Sequence, residues 1–287
     1  MFSGFSRQEL QTQDAVINLV HGGSGDPVLL LHGYPQTHVC WHRVAPVLAE
    51  QFTVVCADLR GCGDSSKPPS DPEHRTYSKR VMAQDQVEAM HQLGFDRFAV
   101  VGHDRGARVA HRLALDHADK VTKLALLDII PTKTAFANVD KEIAEAAFNW
   151  FFSVQPDGLP ERLIEADPAF YLQWLLDHWA GTKEALADDA VAEYRRCFDA
   201  ATIRATNEEF RAAATIDLVH DAADATQKIA CPTLVLWSKT GMWAKYDILE
   251  IWKEYAQTVQ GFALDGGYFL PEENPEQTIA ELLRFLR

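Results

Sequence analysis

Short apolar runs recur along the chain and alternate with longer stretches in which apolar residues repeat every three or four positions. The short runs are rich in Val, Leu and Phe, which is typical of parallel strands buried on both faces. They predict six strands, at residues 28–31, 52–57, 98–101, 124–127, 234–237 and 259–264. Helical periodicity is clearest at residues 78–93 and 275–286. This alternation predicts an α/β fold, with a mostly parallel sheet and helices on both of its faces.

The alternation stops between residues 131 and 227, where the pattern is helical. This stretch is dense in aromatic residues, namely Phe148, Trp150, Phe151, Phe152, Phe170, Tyr171, Trp174 and Trp179. Ligands of open α/β sheets bind at the carboxyl ends of the strands, and an inserted helical layer there excludes water. We therefore predict a core formed by 1–130 and 228–287, with a helical cap at 131–227. A separate domain, or helices packed on an outer face, is the alternative.

The composition is ordinary for a globular protein, with 47% hydrophobic and 24% charged residues and a net charge of −14. This acidic balance disfavours nucleic acid and anionic membrane surfaces as partners. No run approaches the roughly 18 apolar residues of a membrane helix, and the first residues lack the apolar core of a signal peptide. The five cysteines are scattered without C-x-x-C spacing, which favours reduced thiols. We expect a cytoplasmic protein with no membrane partner, no metal and no cofactor.

The segment Gly102-His103-Asp104-Arg105-Gly106 lies between a predicted strand and a helical stretch. This context and spacing are typical of a nucleophile elbow, here with Asp where a serine hydrolase has Ser. An ionised carboxylate on such a turn can displace a leaving group from carbon and form an ester. A helix-capping Asp is the ordinary alternative. We predict that Asp104 is the nucleophile.

A second segment supports the interpretation of residues 102–106 as a nucleophile elbow. In Leu29-Leu30-Leu31-His32-Gly33-Tyr34-Pro35, a strand leads into His-Gly, an aromatic residue and Pro. It resembles the loop that supplies one oxyanion-hole amide in α/β-hydrolases. On this resemblance the N–H groups of Tyr34 and Arg105 are the implied donors.

The chain as a whole is similar to one branch of these enzymes, the fluoroacetate (haloacetate) dehalogenases. The similar segments are HGYPQ (32–36), ADLRG (57–61), GHDRGAR (102–108), LDIIPT (127–132), QP (155–156), RAA (211–213) and FLPEE (269–273). The resemblance implies an α/β-hydrolase fold with a cap, hydrolysis through an Asp ester, and a homodimer.

Arg105 and Arg108 indicate which kind of substrate would bind beside Asp104. They are three residues apart and can share one face at the start of the helix beside Asp104. Two guanidinium groups at that place would form a fork for a small carboxylate. Surface ion pairs are the alternative. We predict a small anionic substrate, a 2-haloacid, held by both arginines.

The resemblance places the orienting acid of the triad at Asp128 and the base at Tyr268. A neutral Tyr is a poor base at pH 7, where an imidazole with a pKa of about 6.5 is suited to the task. No histidine follows His220 in the chain. His103 adjoins Asp104 but is expected to point away from the elbow, and His220 is expected at the surface. The ester on Asp104 is therefore expected to persist.

The halide pocket of the resembled family corresponds here to Asn149, Trp150 and Phe210. Trp150 retains an indole N–H donor and Asn149 an amide donor, whereas Phe210 has no hydroxyl. Each missing donor would cost about 1–3 kcal/mol when fluoride leaves, so very weak or absent turnover of fluoroacetate is expected.

Two other functions remain open at this point. One is a non-catalytic binder of small carboxylates on a hydrolase scaffold. The other is an epoxide or ester hydrolase that uses Asp104. Epoxide opening needs phenol donors in the cap, for which Tyr171 and Tyr194 are the nearby tyrosines.

Overall fold

The computed structural model describes all 287 residues, Met1–Arg287, and contains one eight-stranded sheet. Its strands are β1 (Ser6–Gln11), β2 (Val16–Gly23), β3 (Pro27–Leu31), β4 (Thr53–Ala57), β5 (Phe98–His103), β6 (Val121–Leu127), β7 (Thr233–Ser238) and β8 (Val259–Leu264). The order across the sheet is β1-β2-β4-β3-β5-β6-β7-β8. All pairs from β4 to β8 are parallel, whereas β2 pairs antiparallel with both β1 and β4.

All six predicted strands are present, so the predicted α/β class with a mostly parallel sheet is confirmed. The hairpin of β1 and β2 escaped prediction because β1 lies at the sheet edge and is almost wholly exposed. Its sequence therefore carries no apolar run. The central strand β5 is buried at every position, which requires cover on both faces of the sheet.

Fourteen α-helices surround or follow the strands. They are α1 (Ala45–Leu48), α2 (Lys79–Gln92), α3 (Arg105–Asp116), α4 (Thr132–Ala137), α5 (Lys141–Ala146), α6 (Phe148–Phe152), α7 (Leu159–Ala166), α8 (Pro168–Trp179), α9 (Asp188–Cys197), α10 (Ala200–Ala214), α11 (Ile216–Ala223), α12 (Ile248–Tyr255), α13 (Leu270–Glu273) and α14 (Pro275–Leu286). No helix is both long and apolar enough to cross a membrane.

The chain between β6 and β7 contains only helices, α4 to α11. Local signals set their starts: Asp167 accepts a hydrogen bond from the Phe170 N–H at 3.0 Å, and Pro168 follows as the first residue of α8. Asp140 and Asp199 cap α5 and α10 in the same way. This agrees with the helical pattern read for residues 131–227. The division into a core and a cap stays a prediction.

The start of α3 lies very close to β3. A Cβ added to Gly106 would lie 2.4 Å from the His32 carbonyl oxygen and 2.5 Å from that of Leu31. These neighbours are backbone atoms inside the sheet and cannot move aside. Glycine at this position therefore allows the helix to begin directly against the strand.

We expect Gly106→Ala to destabilise the fold by about 3 kcal/mol or more, since the new methyl group overlaps buried backbone. Denaturant unfolding would measure the loss. Gly94→Ala is the matched control: its Cβ meets nothing within 4 Å, and it carries only the strain of a φ of +87°. Equal losses in the two variants would contradict the packing argument.

Candidate active site

Asp104 occupies the turn between β5 and α3 in a strained conformation. Its backbone has a φ of 44° and a ψ of −113°, a region that side-chain-bearing residues rarely adopt. Its carboxylate does not cap α3, so the capping alternative does not hold. The side chain is largely buried, at 7% exposure, and lines a cavity.

The loop after β3 packs directly against this elbow. The Tyr34 N–H donates to Asp104 Oδ2 at 3.1 Å. A Cβ on Gly33 would lie 2.7 Å from the Asp104 Cβ, so glycine is required for the close approach. His32 accepts from the Leu59 N–H through Nε2 and donates through Nδ1 to the Gly33 carbonyl. It therefore shapes the loop as a neutral imidazole, and burial lowers its pKa.

A cavity of about 420 Å³ lies above the elbow, between the strand ends and the helices α5, α6, α8 and α10. The predicted site residues that line it are Tyr34, Asp104, Asp128, Asn149, Trp150, Phe210 and Tyr268. They come from segments up to 234 residues apart in the chain. The structure thus brings together the predicted nucleophile, acid, base position and halide pocket.

Asp128 follows β6 and accepts a hydrogen bond from the Ser238 N–H at 3.1 Å. Burial raises the pKa of this carboxyl to about 7, against the opposing effect of that hydrogen bond, and the charge of Asp104 raises it further. No cation pairs with it. An imidazolium at position 268 would supply the missing partner, and a phenol does not.

Tyr268 projects into the cavity beside both carboxyl groups. Its hydroxyl donates to the Tyr34 carbonyl oxygen at 2.8 Å. Burial, followed by the negative charge of Asp104 and then of Asp128, raises the pKa of Tyr268 well above 10. The phenol therefore stays protonated at neutral pH and can donate a proton but cannot accept one.

Neither histidine considered as a substitute base reaches the cavity. His103 donates through Nε2 to the Tyr268 carbonyl at 2.8 Å, and its ring packs edge-on against the Tyr268 ring. It is fully buried, and burial lowers its pKa. His220 lies on α11 and is half-buried, not fully at the surface as expected, and it is absent from the cavity wall.

The predicted fork of two free guanidinium groups is not formed. Arg105 turns away from the cavity and pairs with Glu209, with Nε 2.6 Å from Oε2. The Phe210 ring lies between the Arg105 guanidinium and the cavity, with its centroid 4.3 Å from the guanidinium carbon. Local spacing does not reveal this ion pair, because α10 supplies the partner carboxylate. Binding of a substrate carboxylate by the two arginines stays a prediction.

Arg108 also lies behind the cavity wall, but its charge is uncompensated. Nη1 donates to the Ile130 carbonyl and the Thr132 hydroxyl, whereas Nε and Nη2 are buried with no partner. The guanidinium carbon is 5.0 Å from the Trp150 ring, which faces the cavity. Burial and the charge of Arg105 lower its pKa to about 10. It is therefore still protonated at pH 7.

Asn149, Trp150 and Phe210 form one side of the cavity. Asn149 is buried at 2% exposure, and its amide oxygen has no partner. The two cap tyrosines considered as epoxide donors are elsewhere: Tyr194 donates to Glu272 at 2.9 Å, and Tyr171 is absent from the cavity wall.

Sequence reasoning missed two titratable residues at the cavity, His178 and Glu145. His178 stacks on Trp174 with ring centroids 3.8 Å apart and donates through Nδ1 to the Trp174 carbonyl at 2.7 Å. Its Nε2 is left free at the cavity rim. Only the i, i+4 spacing of Trp174 and His178 hinted at this stack, and that spacing is common in helices.

A family model described as the alpha/beta hydrolase fold matches residues 26–271. The chain belongs to this family. It is also 44% identical to a fluoroacetate dehalogenase from a Burkholderia species, over all of this chain and 95% of that protein. This hydrolase is 34% identical to a soluble epoxide hydrolase of Corynebacterium sp. (strain C12), over 96% of the chain and 97% of the relative.

Solved structures agree with the fold. An α/β hydrolase candidate from Nostoc sp. PCC 7120 superposes with a TM-score of 0.99 at 57% identity, covering 100% of this chain and 99% of that one. The predicted α/β-hydrolase fold is confirmed, and so is the resemblance to the haloacetate dehalogenases. The protein is thus an enzyme of the α/β-hydrolase type.

The raised pKa of Asp128 predicts a specific pH dependence of stability. The folded state holds this proton more tightly than the unfolded chain, so the contribution is full below pH 3.8 and is lost as the pH rises to about 7. Asp128→Asn removes that loss and keeps an acceptor for the Ser238 N–H. We expect the difference in unfolding free energy between pH 5 and pH 8 to shrink by about 2–3 kcal/mol in the variant.

Denaturant unfolding at the two pH values measures this. Burial also raises the pKa of the Glu272 carboxyl to about 8. Its contribution to the pH dependence is the same in the wild type and the variant, so it cancels in the difference between them. If Asp128→Asn changes the unfolding free energy, relative to the wild type, by the same amount at pH 5 and pH 8, Asp128 is already ionised at pH 5 in the folded protein.

Proposed function

We propose that the protein attacks small 2-haloacids with Asp104, forming an ester and releasing halide. The observation that carries this proposal is the carboxylate of Asp104, held on a strained turn at the floor of the cavity. One of its oxygens is fixed by the Tyr34 N–H, and the other is free to attack. The dehalogenase relative at 44% identity supports a carbon–halogen bond as the target.

The first step is a displacement at C2 of the haloacid. Asp104 Oδ1 forms the new C–O bond as the C–X bond breaks, and the halide takes the bonding electrons. The indole of Trp150 and the amide of Asn149 face the same cavity and steady the leaving ion. Arg108 behind Trp150 supplies the positive charge that attracts the substrate carboxylate.

The second step requires water to be deprotonated as it attacks the ester. A protonated phenol at position 268 cannot accept that proton. Asp128 would orient a base at position 268, where this chain has a phenol. We propose that the ester accumulates and that turnover is slow or absent.

Intact-mass spectrometry after incubation with chloroacetate tests the first step. We expect one carboxymethyl group per chain, placed on Asp104 by peptide mapping, and none on that peptide in Asp104→Asn. Halide release should match adduct formation one to one. Saturable binding of chloroacetate without adduct or halide would instead support a non-catalytic carboxylate binder.

Two substitutions at position 268 separate the possible roles of its phenol. Tyr268→His places an imidazole beside Asp128, and we expect it to raise the rate of ester hydrolysis by about a hundredfold or more. Tyr268→Phe removes the hydroxyl without adding a base, and its ester should persist. The readout is the decay of the Asp104 adduct after excess chloroacetate is removed. Equal acceleration in both variants would mean that the phenol itself blocks water.

A second candidate, epoxide opening, is favoured by one observation. The cavity wall contains no Lys or Arg but does contain the Tyr268 phenol, which suits a neutral substrate. Asp104 would attack an epoxide carbon, the C–O bond of the ring would break, and the alkoxide would take the Tyr268 proton. The epoxide hydrolase relative at 34% identity supports this route. Styrene oxide, tested beside chloroacetate, distinguishes the two by which compound modifies Asp104 faster.

A further inference from the structure

Four buried charged side chains form a continuous series of ion pairs that joins the helices α3, α10, α2 and α11. Arg105 pairs with Glu209, the Lys79 ammonium pairs with the other oxygen of Glu209, and Lys79 pairs in turn with Asp217 at 3.3 Å. All four side chains are less than 10% exposed. Two positive and two negative charges make the series neutral as a unit.

Glu209 holds Arg105 with both its side chain and its backbone. Arg105 Nε donates to Oε2 at 2.6 Å, and Nη2 donates to the Glu209 carbonyl oxygen at 3.3 Å. The next residue, Phe210, separates Arg105 from the cavity. One side of its ring covers the guanidinium, and Phe210 also lines the cavity. Arg105 is therefore neutralised and screened at the one place where it borders the cavity.

The charge balance of the cavity follows from this arrangement. Asp104, Asp128 and Glu145 line it, and Arg108 is the uncompensated cation behind it. With Arg105 neutralised, an entering anion meets one guanidinium and not two. Neutral and anionic electrophiles of equal size should then differ little in how fast they reach Asp104.

We propose that Glu209 is a specificity-determining residue, which sets the charge preference of the cavity by cancelling Arg105. This inference rests on the proposed attack by Asp104. Glu209 does not line the cavity, and of its two cationic partners, Arg105 and Lys79, Arg105 is the one beside the cavity wall. Removing its charge leaves the Arg105 cation uncompensated next to the substrate.

The test compares an anionic electrophile, bromoacetate, with its neutral isostere, bromoacetamide. The measured quantity is the ratio of their second-order rates of Asp104 modification, followed by peptide mapping so that cysteine alkylation is excluded. Glu209→Gln keeps an acceptor for Arg105 but loses the charge. We expect it to raise the bromoacetate-to-bromoacetamide ratio about fivefold or more, with the bromoacetamide rate little changed.

Two further variants control the result. Glu208→Gln makes the same change in net charge, but Glu208 pairs with His74 and Arg211 and not with Arg105, so the ratio should stay at the wild-type value. Arg105→Gln/Glu209→Gln removes the pair as a neutral unit and should also return the ratio to the wild-type value. The double variant also serves if Glu209→Gln alone folds poorly.

The outcomes separate this inference from the proposed function. If wild-type Asp104 is modified by neither reagent, the proposed function fails. If Asp104 is modified but Glu209→Gln leaves the ratio unchanged, or Glu208→Gln raises it equally, Glu209 does not set the charge preference. If the double variant differs from the wild-type ratio, Arg105 is not the group through which Glu209 acts.

Discussion

Three backbone segments meet at Asp104, and the site depends on how closely they approach. The strained turn lifts the carboxylate out of the sheet, Gly33 lets the β3 loop reach it, and Gly106 lets α3 start against β3. The cost of the positive φ is offset by the packing and backbone hydrogen bonds on either side, since the Asp104 N–H donates to Leu127 and its carbonyl accepts from Arg108. Asp104, the proposed nucleophile, is thus held by backbone geometry that does not depend on the residues above it. The chemistry of the surrounding wall can therefore change without loss of the turn.

Under the proposed mechanism, that independence separates the two halves of the reaction. The first half needs a fixed carboxylate and an enclosed cavity, and both are present. The second half needs an imidazole between Asp128 and the ester, and position 268 holds a phenol. Asp128 is left without a cation, and burial raises the pKa of its carboxyl to about 7. The Tyr268 phenol cannot act as a base at neutral pH, but it can act as an acid and give its proton to an alkoxide.

Much of this site could be predicted from the sequence, because the relevant signals are local. The elbow and the β3 loop each lie within seven consecutive residues, and their glycines, flanking strands and following helix constrain the backbone directly. The position of Asp128 after β6 is of the same kind. The antiparallel β1 was missed because an exposed edge strand has no apolar run. The ion pair of Arg105 could not be predicted for a different reason. Its partner Glu209 lies 104 residues away, and no local spacing shows which carboxylate a guanidinium will pair with.

Under the proposed mechanism, charge and not shape distinguishes the two candidate substrates. A cavity of about 420 Å³ has room for haloacids and for small epoxides, and under the proposal both would leave an ester on Asp104 with a phenol at position 268. A haloacid brings a negative charge into a wall that already carries carboxyl groups, so it depends on Arg108 for compensation. An epoxide brings no charge but develops an alkoxide, so it depends on the Tyr268 proton. The chain provides one group for each route, and the neutralisation of Arg105 by Glu209 weakens the advantage that two arginines would have given to the anion.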